Sequence, residues 1–315
     1  ALEIFMSNIS QSDSTITAYY DLKTAPITFD FCQFIVSAAA YTVAKGQKYF
    51  DLVVLADGFR NVTVREKQYT LSERRWRVWN LILEIAKVVP SIRNVSISVT
   101  APAVIAANSY PKGYHPTYNP QIPYDIPLVR KAHDAGIDVR LFAPSDYAMT
   151  AASRLTADSS GKFVTITLRK ADYEAIRDSR VEEWYEFSLL VRERGYEPII
   201  IPDQDDALGS ESINKFDWRV LNVAAMSVDL RLALYNQAAM NYVTNGGAIG
   251  LFIYSKAPFM WYSVMVEGSA VASPEFYRKQ GVEVGGKFPW LGENQEMVWE
   301  PDTLENLKKS LSKIQ

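Results

Sequence analysis

The sequence predicts an α/β protein built from two doubly wound, mostly parallel sheets. Three observations support this prediction. Apolar, β-branched runs alternate with amphipathic segments, the alternation restarts after residue 162, and 315 residues are enough for two domains of ordinary size. We therefore expect an N-terminal domain over 1–150 and a C-terminal domain over 151–315. A stretch rich in Ser, Ala, Asp and Gly, 145–162, is the predicted linker.

The first half begins with a strand pattern and then alternates. The patterns predict, in order, a strand at 15–21, a helix at 29–45, a strand at 50–56, a helix at 71–88, a strand at 95–100, a helix at 126–135 and a strand at 139–143. Gly46, Pro90 and Gly136 follow the predicted helices, where such residues end a helix. The Pro- and Tyr-rich stretch 101–125 reads as a long loop, and long loops often carry function.

The second half repeats this alternation. It predicts strands at 163–168, 198–202, 220–226 and 259–264, helices at 180–194, 229–241 and 303–314, and either a short helix or a strand at 248–254. In sheets of this kind ligands bind at the carboxyl ends of the strands, where the strand order reverses. Polar residues that follow a strand are therefore the first candidates for a site.

Charge and cysteine content exclude several classes of function. The chain has 33 basic and 36 acidic residues, so it lacks the basic footprint of a nucleic-acid-binding protein. The single cysteine, Cys32, rules out an intrachain disulfide and fits a reducing compartment, and we expect a cytoplasmic protein. The longest apolar run, 29–44, is too short and too interrupted for a membrane span, and no signal peptide stands out.

Two groups of residues after predicted strands suit a phosphate-bearing ligand. Arg169 and Lys170 end the strand that opens the second half, where two cations can neutralise a diphosphate or can simply lie in solvent. Asn245, Gly246 and Gly247 form a loop whose backbone can approach a ligand closely, although the same residues also make an ordinary turn.

An acidic loop after the strand at 198–202 is a candidate metal site. Asp203 and Asp205 have the Asp-x-Asp spacing that holds a divalent cation on a nucleotide sugar in one class of glycosyltransferases. The alternative is an acidic loop that caps the next segment. The two histidines, His115 and His133, have no metal-ligand spacing to a partner, so we predict no metal centre there.

Candidate catalytic groups lie in the first half. Asp30 follows the first strand and enters a helix, where it can act as a general base on a substrate hydroxyl or, like Thr28, as a helix cap. His115, in the Tyr/Pro loop, is a second candidate for the base or for an acceptor contact. Asp57, after the second strand, is the next candidate.

The second half resembles the donor domain of GT-B glycosyltransferases. The residues that carry the resemblance are Val164-Thr-Ile-Thr-Leu-Arg169, Glu183-Trp184, Pro198-Ile-Ile-Ile-Pro-Asp203, Asp229 to Ala238, Asn245-Gly246-Gly247 and Gln295 to Asp302. Together they make 163–310 similar to bacterial fucosyltransferase- and heptosyltransferase-type architecture. The first half matches in layout, with Phe29-Asp30 and Arg74-Arg75-Trp76-Arg77 as local marks.

This resemblance implies two Rossmann-like domains facing a cleft, with a nucleotide sugar in the second, a glycan acceptor in the first, and neither metal nor cofactor. It places Arg169 on the diphosphate, with backbone donors from Asn245, Gly246 and Gly247; we add Lys170 and Asp203 to the expected donor site. Thr167-Leu168-Arg169 stands where fucosyltransferases have His-x-Arg, so the sugar and the base stay open.

We therefore expect a glycosyltransferase that moves a sugar from a nucleotide-diphosphate sugar to an acceptor hydroxyl. Two alternatives remain. One is a non-catalytic, two-lobed sugar- or nucleotide-binding protein, and the other is a transferase or hydrolase that depends on a metal at Asp203 and Asp205.

Overall fold

A computed structural model describes most of the chain. The chain divides into two compact units, Ala1–Leu141 and Phe142–Gln315. The residues described are 15–56, 69–100, 102, 105–115, 125–159, 161–204, 206–208 and 211–314.

The N-terminal unit contains a four-stranded parallel sheet. Its strands are β1 (Ile16–Asp21), β2 (Phe50–Leu55), β3 (Ile92–Ser98) and β4 (Ser109–Tyr110), in the spatial order β3-β2-β1-β4. Ile16 lies opposite Phe50 and Asp21 opposite Leu55, so β1 and β2 end at the same edge.

Four helices accompany this sheet in the described residues. They are α1 (Phe31–Ala44), α2 (Leu71–Arg77), α3 (Leu83–Lys87) and α4 (Ile126–Asp134), and a π-helical turn, Val78–Ile82, joins α2 to α3. Helix α1 is apolar nearly all round because it packs on β1 and β2 and also on α4. It ends before Gly46, whose φ of 73° favours glycine.

The C-terminal unit contains a six-stranded parallel sheet. Its strands are β5 (Phe163–Thr167), β6 (Glu197–Ile201), β7 (Arg219–Val220), β8 (Met240–Val243), β9 (Phe259–Trp261) and β10 (Gln295–Met297). The spatial order is β10-β9-β8-β5-β6-β7. Counted from the first strand of the unit, this is the 3-2-1-4-5-6 order of doubly wound dinucleotide-binding domains.

The helices of this unit connect and cover the strands. They are α5 (Asp146–Leu155), α6 (Val181–Glu193), α7 (Glu211–Asn214), α8 (Asn222–Met226), α9 (Val228–Gln237), α10 (Ile249–Ile253), α11 (Pro274–Lys279) and α12 (Leu304–Lys309). Among the helices of the described ranges, none combines the length and the apolar character needed to cross a bilayer.

Trp184 occupies the centre of the C-terminal core. It is fully buried among Phe187, Tyr242 and Tyr262, with ring centroids 5.9–6.3 Å apart. Its Nε1 donates to Asp302 Oδ2 at 2.8 Å, so the indole is satisfied as well as packed. Asp302 also accepts from the backbone of Arg180 at 3.1 Å, which fixes the start of α6.

Two predicted features between the halves are wrong. The predicted strand at 139–143 is irregular backbone. Its apolar pattern arises because the side chains of Val139 and Phe142 are buried. The amide of Phe142 donates to Tyr254 O at 2.9 Å. The predicted linker at 145–162 instead contains α5, which packs on α9. Small residues such as Ala152 make that contact, and they give little hydrophobic periodicity.

The remaining differences concern short or abutting elements. The predicted strand at 220–226 is β7 followed by α8. The predicted helix at 229–241 ends at Gln237, because Ala238 is extended and β8 starts two residues later. The ambiguous stretch 248–254 contains α10. Strands β4 and β10, of two and three residues, are too short to give an alternating pattern.

Candidate functional site

The strand order of the C-terminal sheet reverses between β5 and β8. From β5 the chain proceeds to β6 on one side, whereas β8 leads to β9 on the other. In sheets of this order ligands bind at the carboxyl edge beside such a reversal, here next to the segments that leave the two strands, 168–179 and 244–248. Both predicted phosphate-binding groups lie in these segments.

The structure brings Arg169 and Gly246 together. A Cβ added to Gly246 would lie 3.3 Å from Arg169 Cδ, so glycine is what allows this close approach. The two segments also share hydrogen bonds. The Arg169 amide donates to Ser179 Oγ at 2.7 Å, and Ser179 Oγ lies 2.7 Å from Thr244 Oγ1.

Arg169 holds its own loop together. Only 6% of the residue is exposed, and its guanidinium pairs with Asp178 and donates to the carbonyl of Tyr173. Asp178 also accepts from the Ala171 amide at 3.2 Å. The side chain that we predicted on the diphosphate therefore already closes the segment between β5 and α6.

Arg177 is a second, partly buried guanidinium of this site, and no sequence pattern indicates it. Its side chain is 9% exposed, and Nη1 donates to Asn245 Oδ1 at 3.5 Å. Nε lies 2.9 Å from Glu174 Oε2 but makes no aligned hydrogen bond. Burial, followed by the charge of Arg169, lowers the pKa of Arg177. Two neighbouring buried cations favour an anion beside them.

Glu174 connects this loop to the segment after β9. Its backbone has a φ of 49°, uncommon for a residue other than glycine. Burial raises the pKa of Glu174, but the bond from Ser269 (2.6 Å), the charge of Arg177 and the Ala270 amide (3.2 Å) outweigh it and lower that pKa. Glu174 is therefore ionised at neutral pH and offsets part of the positive charge.

Asn245 is buried, and its side chain links two segments of the chain by hydrogen bonds. Its Nδ2 donates to Val264 O at 2.9 Å and to Tyr277 Oη at 3.2 Å. Burial raises the pKa of Tyr277, which stays a neutral phenol. The side chain of Asn245 thus ties the end of β8 to the chain that follows β9, and Gly247 lies exposed beyond it.

Helix α10 follows these glycines but offers little to a ligand. It has only five residues, and its first amides, those of Ile249 and Gly250, donate to Gly246 O and Gly247 O at 3.2 and 3.1 Å. These two amides are used within the turn. The backbone of Gly246 and Gly247 itself remains the predicted approach to a ligand.

The other predicted donor residues lie around this site. Lys170 is exposed beside Arg169. Asp203 follows β6 and is half-buried, and its Oδ1 accepts from the Gln204 amide at 2.7 Å. Asp205, its predicted metal-binding partner, lies outside the described residues. Within the residues that are described, no group of three or more His, Cys, Asp or Glu side chains could hold a metal ion.

In the N-terminal unit, Asp30 precedes α1 on the carboxyl side of the sheet and is half-buried. The prediction that Asp30 caps this helix is wrong, because its carboxylate makes no capping hydrogen bond. Its backbone is already helical (φ −57°, ψ −22°), whereas a capping side chain needs extended backbone. Thr28 Oγ1 instead accepts from the Asp30 amide at 3.3 Å.

A buried carboxylate at the end of β1 was also missed. Asp21 Oδ2 accepts from Tyr114 Oη at 2.7 Å, and Tyr114 stacks on Tyr19 with ring centroids 4.7 Å apart. Burial, then the bond to Asp21, raises the pKa of Tyr114. His115 is exposed and follows Tyr114 directly, so this contact fixes the predicted catalytic histidine near the end of β1. Asp57 lies outside the described residues.

No protein-family model matches the chain, and no curated protein matches it. Solved structures do. Escherichia coli ADP-heptose lipopolysaccharide heptosyltransferase II matches with a TM-score of 0.50 at 9% identity, over 95% of this chain and 97% of that one.

Two further structures are similar. A family 9 glycosyl transferase from Veillonella parvula matches with a TM-score of 0.48 at 9% identity, over 79% of this chain and 80% of that one. E. coli heptosyltransferase WaaC with ADP matches with a TM-score of 0.46 at 14% identity, over 96% and 100%. The first likeness, together with the two parallel sheets, establishes the predicted α/β fold of two Rossmann-like units, the GT-B type.

Proposed function

We propose that this protein is a glycosyltransferase that moves a sugar from a nucleoside-diphosphate sugar to a hydroxyl of a glycan acceptor. One observation carries the proposal. The buried guanidinium of Arg169 and the partly buried guanidinium of Arg177 lie at the strand-order reversal of a sheet with the dinucleotide-binding order. The fold shared with an ADP-heptose heptosyltransferase adds support.

In the donor half of the reaction, the bond between the anomeric carbon and the diphosphate breaks, and the departing diphosphate gains negative charge. Arg177 can receive part of this charge, because its guanidinium lies beside Asn245 and its Nη1 makes only a long, 3.5 Å contact with Asn245 Oδ1. Lys170 adds an exposed charge at the rim. Fixed cations in a buried site stabilise developing charge more strongly than water does.

The glycine turn complements these cations. Gly246 and Gly247 bring the backbone close to Arg169 without a side chain in the way. Asn245 holds the turn in place through Val264 and Tyr277. A diphosphate lying over the turn would meet backbone on one side and guanidinium groups on the other.

In the acceptor half, a base removes the proton from the attacking hydroxyl. We assign this role to Asp30, whose half-buried carboxylate follows the carboxyl edge of the N-terminal sheet and is not used for capping. His115 is the second candidate.

Calorimetric titration with ADP, GDP, UDP and CDP tests the donor site. At least one of them should bind, and Arg177→Gln should weaken that binding about 10–100-fold, since a hydrogen bond to a charged group contributes about 1.5–3 kcal/mol. Arg192→Gln is the matched control. It removes the same charge beside Glu197, at the opposite end of β6, and should leave affinity unchanged.

If no nucleoside diphosphate binds, or if both variants bind as the unmodified chain does, the proposed donor site is wrong. Tight binding of a nucleotide sugar without transfer or hydrolysis would instead identify a non-catalytic binding protein.

A further inference from the structure

Two tryptophans of the N-terminal unit project from one helix. Trp79 is 61% exposed, Trp76 is 37% exposed, and Leu71 at the start of α2 is 49% exposed. The chain has seven tryptophans, and the other five are buried or half-buried in the C-terminal unit. Large exposed apolar side chains grouped in this way mark an interaction surface.

These side chains lie on one face. Leu71, Arg75 and Trp79 follow each other at intervals of four residues, and Trp76 precedes Trp79 by three, so each of the four has a neighbour among the others on the helix surface. We call them the tryptophan face. The opposite side, including Val78, Leu81 and Ile85, is buried in the core and fixes the direction of this face.

Nothing in the described part of the chain uses the polar atoms of this face. No hydrogen bond, ion pair or ring contact there involves the side chains of Arg75, Trp76 or Trp79. The neighbouring Arg77 differs, because it lies over the ring of Tyr69 at 3.9 Å. Trp79 also lies in the π-helical turn, a feature frequent at functional sites.

The charge of this region is opposite to that of the whole protein. Residues 71–87 contain four basic and two acidic side chains, whereas the chain carries a net charge of −3. Of the two acids, Glu73 accepts from the Thr70 amide at 2.6 Å and Glu84 pairs with Lys87. Arg75 therefore stands among the apolar side chains as a cation without an acidic partner in the described chain.

We propose that the tryptophan face docks this protein on the surface of a membrane that contains anionic lipid. Tryptophan rings favour the headgroup level of a bilayer, and arginine beside them is attracted to lipid phosphates. The attachment that this face provides is peripheral, because tryptophan and arginine side chains reach only the headgroup layer.

The area of the face favours a membrane over a second protein copy. A stable protein interface needs about 800 Å² from each partner. Two partly exposed tryptophans and a leucine supply on the order of 300 Å². Insertion into a lipid headgroup layer does not require a larger complementary surface.

Flotation of the full chain with lipid vesicles tests this proposal. The unmodified chain should float with phosphatidylcholine vesicles containing one third phosphatidylglycerol, and less with phosphatidylcholine alone. Replacing both tryptophans, Trp76→Ser with Trp79→Ser, should reduce the partition coefficient at least about tenfold. Arg75→Gln should reduce it about fivefold on anionic vesicles only.

Tyr147→Ser provides the matched control, because Tyr147 is also largely exposed but lies in the C-terminal unit. It should float as the unmodified chain does. Circular dichroism should show that every variant is folded at the temperature of the flotation assay. Failure of the unmodified chain to float, or equal flotation of the tryptophan variant, overturns the proposal. Dimerisation that the tryptophan variant abolishes, without vesicle binding, assigns the face to a second copy instead.

Discussion

Replacing Arg169 by alanine should lower the free energy of unfolding of the C-terminal unit by about 3–5 kcal/mol. The side chain is buried, and its removal leaves Asp178 without its cation and the Tyr173 carbonyl without its donor. It also empties the space beside Gly246. Because Asp178 is partly exposed, water relieves some of the loss, and we expect the lower half of this range. Urea unfolding followed by circular dichroism measures it.

Lys215→Ala is the control for this prediction. It breaks the ion pair with Glu182, in which both side chains are exposed, and such pairs contribute about 0–1 kcal/mol. Adding Asp178→Asn to Arg169→Met should recover part of the lost stability, because no unpaired charge is left. If Arg169→Ala lowers the free energy of unfolding no more than Lys215→Ala does, Arg169 does not stabilise the loop.

This prediction changes how binding data on Arg169 are read. Weaker nucleotide binding by an Arg169 variant would follow from collapse of its loop as readily as from a lost contact with the diphosphate. Arg177, whose Nη1 makes only a 3.5 Å contact with Asn245 Oδ1, is therefore the better variant for testing the donor site.

Asp30→Asn should reduce the rate of sugar transfer about 10²–10⁴-fold while leaving the melting temperature unchanged. Asparagine keeps the size and polarity of the side chain but cannot take up the acceptor proton. No helix cap is lost in this variant, because the carboxylate of Asp30 makes no capping hydrogen bond, and asparagine has nearly the same shape. Turnover is measured once a donor and an acceptor have been found, and melting is followed by circular dichroism.

Asp51→Asn makes the same chemical change elsewhere in the N-terminal unit. Asp51 lies near the start of β2, at the amino edge of the sheet, and pairs with Arg93 at 2.7 Å. Transfer should stay normal in this variant. Turnover near the unmodified rate in Asp30→Asn would exclude Asp30 as the base, and His115→Gln would be the next variant to measure.

The sequence predicts the elements whose patterns are local. Strand β5 is rich in β-branched residues, β6 has three consecutive isoleucines, and α1 is a long apolar helix that ends shortly before a glycine, so their types and approximate bounds follow from the residues. Helix α5 was missed because its buried residues are alanines. Elements of two or three residues, such as β4, give no periodicity at all.

The candidate site, too, depends on contacts that no local sequence pattern predicts. Arg169 and Asn245 could be placed after their strands from the sequence, but the ion pair of Arg169 with Asp178 depends on how the loop folds back. Arg177 belongs to no motif, and only the fold brings it to Asn245. The contact of Asp21 with Tyr114 joins residues 93 positions apart, beyond the reach of any local pattern.

Electron density from a crystal of the whole chain with its tightest-binding nucleoside diphosphate is the most direct test of the donor site. We predict a diphosphate at the carboxyl ends of β5 and β8, with its oxygens about 2.7–3.2 Å from the guanidinium of Arg177 and its phosphates over Gly246 and Gly247. A nucleotide bound instead at the carboxyl edge of the N-terminal sheet, with no density beside Arg177, would contradict the proposed donor site.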